Sequence, residues 1–304
     1  MHRLILGVLG AIVAASVVAI VSSSGDAAEH PHGHGRHGWP AVGKQLFGDV
    51  GATGNVEARW GSVDCADPTR VGFHGKGGDD HPRGDGSGQR APGYWRLTVQ
   101  DGDDIAGERC ELGRNDHREG PTALYREGQH RITFVSIRLR PKFPLYRSAW
   151  QLVLQMKQAQ PSDGGGGTPV LEFDAYDGRW RMGHTGEAIR APDDTEVWSA
   201  PARLNRWVRF AFDIRYSSDP RLGTMRIYAD FNGDGDALDR RERSDRIRLA
   251  TLKREEDGTG EDGYSVGDSL PSHLRVGIYH DDGYGCQTTE CSIDVDNVGV
   301  YEPG

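Results

Sequence analysis

Three short patches of the sequence set cationic or amide side chains near an acid or a phenol, at spacings that share one face of a strand. In Gly107-Glu-Arg-Cys-Glu-Leu-Gly-Arg114, Arg109 and Glu111 are two apart. On extended backbone the carboxylate can therefore orient the guanidinium towards an anionic ligand. Along residues 150–157, Gln151, Gln155 and Lys157 take one face when Trp150, Leu152, Leu154 and Met156 take the other. In residues 273–281, Leu274, Val276 and Ile278 point inward, and Arg275, Gly277 and Tyr279 point outward. The glycine between Arg275 and Tyr279 leaves room for a ligand ring to lie across the backbone. A guanidinium, an amide and a phenol facing one space can neutralise an anion and move a proton.

A fourth patch is acidic. Asp230-Phe-Asn232-Gly-Asp234-Gly-Asp236, followed by Asp239 and Glu242, begins like a calcium loop, with oxygen ligands at the first, third and fifth positions and a glycine at the sixth. The twelfth position is Arg241 rather than a bidentate Glu, and the flanks read as strands, so a structural Ca2+ would staple a hairpin here. The other reading is a solvated acidic tip whose carboxylates repel one another.

These patches must be held by strands. From about residue 46 onward apolar and polar positions alternate between turns rich in Gly, Asp and Pro, with almost no helical period. The clearest runs are 94–100, 131–140, 149–157, 169–176, 179–183, 206–216, 223–230, 246–252, 273–280 and 292–301. This many strands in one domain predicts an all-β, two-sheet antiparallel sandwich of jelly-roll, concanavalin-like form. In residues 207–215 the alternation buries Val208, Phe210, Phe212 and Ile214 and turns Trp207, Arg209, Asp213 and Arg215 outward.

Residues 1–24 read as a secretory signal peptide: His2 and Arg3, an apolar run over 4–21, then three serines. An uncleaved anchor is the alternative, since the run is close to the length of a membrane span. Residues 25–45, with the His/Gly tract at 30–37, read as a linker, and residues 46–304 as the working domain. Four cysteines in an exported chain favour pairing; Cys65 with Cys110 and Cys286 with Cys291 is the preferred of three possible connectivities. A formal net charge of −9 excludes broad electrostatic capture of nucleic acid, so an anionic partner must meet a local basic patch. The expectation is a secreted monomer with no membrane contact after signal cleavage.

The order of patches over residues 105–301 resembles the heparin lyase I type of polysaccharide lyase. Arg109-x-Glu-Leu is followed by Pro141-x-x-Pro, Trp150-Gln-x-x-x-Gln155, Gly178-Arg-Trp-Arg, Arg206-Trp-Val-x-Phe and Gly277-Ile-Tyr279. The resemblance implies a jelly roll whose concave face cleaves an acidic polysaccharide by β-elimination beside a uronic acid. Arg109, Gln155 or Arg275 would neutralise the uronate carboxylate, and Tyr279 would match the family's catalytic tyrosine. Glu111, Gln151, Glu172 and Asp174 would line the groove. The sequence departs from the family where Lys157 stands in place of a catalytic His, and Arg275 stands where related lyases carry Lys. The base is then Lys157, Tyr279 alone, or a histidine from another strand, His184 or His280.

Two other functions remain open on the residues. Glu172-x-Asp174-x-x-Asp177 is similar to the motif of family 16 glycoside hydrolases, but Tyr176-Asp-Gly178 reads as a hairpin turn that takes Asp177 away. A lectin-like sandwich would grip a glycan without cleaving it, with Trp180, Trp198, Trp207 and Tyr279 as stacking platforms.

Overall fold

Strand alternation builds two antiparallel sheets, and the apolar faces of both close on one core. The computed structural model describes residues 38–49, 56–75, 93–105, 107–114, 124–146, 150–158, 168–188, 194–256, 264–280, 286 and 291–304. Residues 1–24, read above as a signal peptide, the histidine tract at 30–37 and the glycine run at 164–167 lie outside the described residues. Among the described residues no helix is long and apolar enough to cross a membrane.

In chain order the elements are β1 (Val42–Asp49), α1 (Val56–Trp60), β2 (Ser62–Cys65), β3 (Val71–Gly75), β4 (Gly93–Val99), β5 (Glu108–Gly113), β6 (His130–Leu139), β7 (Gln151–Gln158), β8 (Leu171–Tyr176), β9 (Arg179–His184), β10 (Thr195–Pro201), β11 (Trp207–Arg215), β12 (Thr224–Asp230), β13 (Ile247–Arg248), β14 (Ser272–His280) and β15 (Cys291–Pro303). One sheet runs β13-β12-β11-β6-β15-β4-β3, with β1 also paired to β15; the other runs β10-β9-β8-β7-β14-β5-β2. This is the expected all-β sandwich.

The strands missed by periodicity are β1, β2, β3, β5 and β10, and the run expected over 246–252 shrinks to the two residues of β13. Four of the five missed strands lie at or beside a sheet edge, where one flank faces solvent and the alternation signal is weak. Pairing starts at Val42, and Trp39 packs against Phe134, so β1 begins within the stretch read as linker.

The core contains Val208, Phe210, Phe212 and Ile214 from β11, as the alternation requires. On the opposite side of β11, Arg209 is buried rather than open: its guanidinium lies over Trp39 and Phe134, in a second small cluster with Ile132, Ala211, Tyr228 and Ala237. In β7 the expected phase holds from Leu154 to Lys157 and fails before it. A bulge between Leu152 and Leu154 puts Val153 into the core with Leu154 and Met156, and leaves Trp150 38% exposed on the other face. The disulfides are Cys65–Cys110, tying β2 to β5, and Cys286–Cys291.

Candidate active site

The outward face of the seven-stranded sheet carries the polar set. Its register lays two rows across the strands. One row runs Gly113, Arg275, Gln155, Glu172, Gly183; the other runs Arg109, Tyr279, Leu152, Asp174, Arg181. Between them Glu111 is paired with Gly277. A side chain at Gly277 would run into the Cys110 carbonyl and the Glu111 backbone, so this glycine serves the close approach of β5 and β14, not a ligand ring as expected.

Glu111 is buried and holds the rows together. Its carboxylate accepts a 2.5 Å hydrogen bond from Gln155 Nε2 and lies 3.7 Å from Arg109 and 3.6 Å from Arg275. Arg109 in turn places its guanidinium 3.8 Å from the centre of the Tyr279 ring, while Trp150 meets that ring edge-on at 4.9 Å. Arg275 is fixed from the far side by Asp64, 2.7 Å away, and donates from Nε to His273 Nε2 at 3.0 Å. Both Arg275 and Tyr279 stay partly exposed on this outward face, whereas Gln155, expected there as a ligand contact, is buried beneath it with its amide on Glu111.

Burial sets the ionisation of the neighbours. Lys157 is pushed down to about 8 from 10.5, first by burial and then by the Arg275 charge. Glu172 is pushed up to about 7, by burial and then by Asp194; Asp174 is held well above the carboxylate range by burial and by Glu172. Ligand oxygens of Glu172, Asp174 and Asp194 lie within 4.8 Å of one another, and Lys253 adds a partly compensating charge beside Glu172.

Several expected site residues lie elsewhere. Gln151 is paired opposite the buried His280, and its amide donates to the carbonyls of Pro144 and Ala175, so it is structural and not a groove residue. His280 is enclosed between Glu108, 3.3 Å from Nδ1, and Cys286, 3.4 Å from Nε2. His184 pairs opposite the core residue Leu171. Neither histidine faces the groove. Asp177, at φ 50°, and Gly178, at φ 73°, form the two-residue hairpin turn between β8 and β9, which separates Asp177 from Glu172 as the turn chemistry requires. Trp180 is wholly buried, Trp198 packs on Phe173 and Phe231, and Trp207 lies on the other sheet, so of the four expected platforms Tyr279 alone lies on the outward face, where Trp150 and Tyr176 join it. Asp64, Asp194 and Lys253 carried no local sequence signal, because each enters through pairing or packing with distant strands, and Trp150 was expected in the core.

The acidic loop is built differently from a closed ligand shell. Asp230 accepts from the backbone N–H groups of Gly233 and Gly235, and Glu242 from those of Phe231 and Asp239. Asn232, Asp234 and Asp239 face solvent, with Asp236 half-buried.

The fold is shared with an endo-β-1,4-glucuronan lyase from the fungus Trichoderma reesei, 17% identical, covering 85% of this chain and 96% of that one at a TM-score of 0.56. It is shared also with the marine PL-14 alginate lyase from Aplysia kurodai (7% identical, 86% and 100% covered, TM-score 0.52). A GH131 β-glucanase catalytic domain from Podospora anserina is similar too (12% identical, 86% and 97% covered, TM-score 0.51). At these identities the likeness is one of fold, and none of the three is heparin lyase I. No curated protein matches the chain. A family model described as polysaccharide lyase matches residues 79–298.

Proposed function

The chain belongs to the polysaccharide lyase family, and from that premise we propose that it is a secreted lyase cleaving a uronic-acid-containing polysaccharide by β-elimination on the outward face of the seven-stranded sheet. The observation that carries this reading is the gathering of Arg109, Gln155 and Arg275 around one buried carboxylate, Glu111, with Arg109 lying on Tyr279. Names of the similar structures, a glucuronan lyase and an alginate lyase, support an acidic substrate.

The difficulty of the reaction is that the uronate C5 proton sits beside a carboxylate, whose negative charge resists carbanion formation. Arg275, held in place by Asp64 and by Glu111, neutralises that carboxylate, and the buried Gln155 amide fixes Glu111 behind it. Lys157 takes the C5 proton on Nζ, since its lowered pKa of about 8 leaves about a tenth of it neutral at pH 7. As the C4–C5 double bond forms, the C4–O bond breaks and the Tyr279 phenol gives its proton to the departing oxygen. Arg109 over the Tyr279 ring orients the phenol. Glu172, half-buried, hydrogen-bonds sugar hydroxyls beside them, while Asp174, expected in the same role, is buried and acts only through its contact with Glu172.

Export fits the two disulfides, and the reading extends to a monomer acting outside the cell without its signal segment. A structural Ca2+ held by Asp230, Asn232, Asp234, Asp236, Asp239 and Glu242 is a separable part of the proposal, supported by the density of carboxylates in that loop.

The experiment is turnover on polyglucuronate, alginate and sulfated uronates, followed by ultraviolet absorbance of the unsaturated product with a reducing-end assay alongside. Tyr279→Phe is expected to abolish the chromophore while leaving polymer affinity within about threefold. New reducing ends without the chromophore indicate a hydrolase, and binding without either product indicates a lectin; unchanged turnover in Tyr279→Phe discards the mechanism.

A further inference from the structure

The outward face of the eight-stranded sheet carries a second concentration of cations. Its register places Arg96 of β4, Asp294 of β15, Arg138 of β6 and Trp207 of β11 in one row across four strands. Three guanidiniums converge on the Asp294 carboxylate: Arg96 Nε at 2.7 Å, Arg138 Nη2 at 2.8 Å and Arg140 Nη1 at 3.5 Å. Asp294 and Arg138 are buried, whereas the side chains of Arg96 and Arg140 are 23% and 27% exposed. The neighbouring carboxylate of this strand, Asp296, is also buried and accepts from the Asn297 N–H.

Aromatic rings hold these cations in place. Arg96 and Arg138 lie 5.7 Å and 5.2 Å from the centre of the Tyr94 ring, and Arg138 lies 4.9 Å from that of Trp207. His74 stacks on Tyr94 at 5.4 Å. Its imidazole is held below its ordinary range by burial and then by Arg96, with Arg140 and Arg138 adding to the effect against Asp294. Neutralising one buried carboxylate does not need three guanidiniums. On a chain of net charge −9, a fixed cationic row on a sheet face is a local reversal of sign.

We propose that this face is a second binding surface for anionic polysaccharide, gripping polymer carboxylates through Arg96 and Arg140 while Arg138 and Asp294 hold the row rigid. Guanidinium forks match carboxylates, and the rings fix their planes before the ligand arrives. The ligand class rests on the uronate reading above, but the surface does not involve the residues assigned to elimination.

The test uses equilibrium binding of polyglucuronate, alginate and a neutral glucan to the full chain carrying Tyr279→Phe, with and without Arg96→Gln and Arg140→Gln. The double substitution is expected to weaken binding of the long acidic polymers about tenfold and to flatten the salt dependence. Restored to Tyr279, the same pair of substitutions is expected to turn over short oligosaccharides at the parent rate. Arg140→Gln alone, further from the buried pair, is expected to lose about threefold and guards against a folding defect, with melting temperature as control. Unchanged polymer affinity at unchanged melting, or an equal loss for the neutral glucan, overturns the inference. Arginine-dependent binding by a protein that forms no unsaturated product leaves this surface standing and removes the lyase reading; cleavage with binding indifferent to both arginines does the reverse.

Discussion

Lys157 and Glu172 each influence the other's ionisation, and burial drives both towards neutrality from opposite sides. For Lys157 the consequence is kinetic. The parent kcat/KM is expected to rise about tenfold per pH unit up to about 8 and then level off, and Lys157→Met is expected to lose that limb; a variant with the parent profile removes Lys157 as base and leaves Tyr279 with both proton transfers. For Glu172 the consequence is stability. Its folded pKa of about 7 lies above the ordinary 4.5, so the folded state holds a proton that the unfolded chain has released; the stabilisation is full below pH 4.5 and lost as pH rises through 7. Asp174 acts with the same sign. Glu172→Gln is therefore expected to melt above the parent at pH 8 and to show a shallower decline between pH 5 and pH 8, measured by calorimetry. Lys157, lowered from 10.5, has the opposite sign, adding stability only as pH climbs from 8 towards 10.5, so the two windows separate. Arg109, Gln155, Arg275 and Tyr279 were legible as chemistry because their spacing is local. Asp64, Asp194 and Trp150 were not, since each acts through a strand it meets only after folding.

At the scale of elements the bulge of β7 decides which residues the groove receives. Strict alternation sends Trp150 to the core and Gln151 to the groove; one extra residue between Leu152 and Leu154 reverses both. A bulge has no period of its own, and the apolar Leu-Val-Leu run is compatible with either phase. The turn at Asp177-Gly178 was legible, because two successive residues at positive φ have a narrow sequence signature. The acidic loop between β12 and β13 yields a test of its own. Chelation is expected to lower the melting temperature and Asp234→Ala to reproduce the shift without chelator, since a cation bound only to the folded chain stabilises it by mass action. Identical melts with and without chelator remove the calcium proposal.

For the whole molecule, the Cys65–Cys110 bridge ties the edge strand β2 to β5 within the seven-stranded sheet, one residue from Asp64, which meets Arg275. Closing a loop of this length is worth about 4 kcal/mol through the unfolded chain, so Cys65→Ser with Cys110→Ser is expected to lower unfolding free energy by up to that amount in denaturant titration. Turnover is expected to fall as well, because Arg275 loses a fixed partner; full stability and activity in the double variant would show that the bridge neither staples the fold nor positions the guanidinium. The amino-acid sequence by itself determined the two-sheet class, the cysteine pairing favoured and the cation, amide and phenol types of the groove, since alternation, cysteine spacing and side-chain chemistry are local. Only the tertiary structure decided that Glu111 gathers Arg109, Gln155 and Arg275, that His184 and His280 turn away, and that Arg96, Arg138 and Arg140 meet on Asp294. Those contacts join strands distant in sequence, and their geometry follows from strand order and register, which the long-range packing of the two sheets selects.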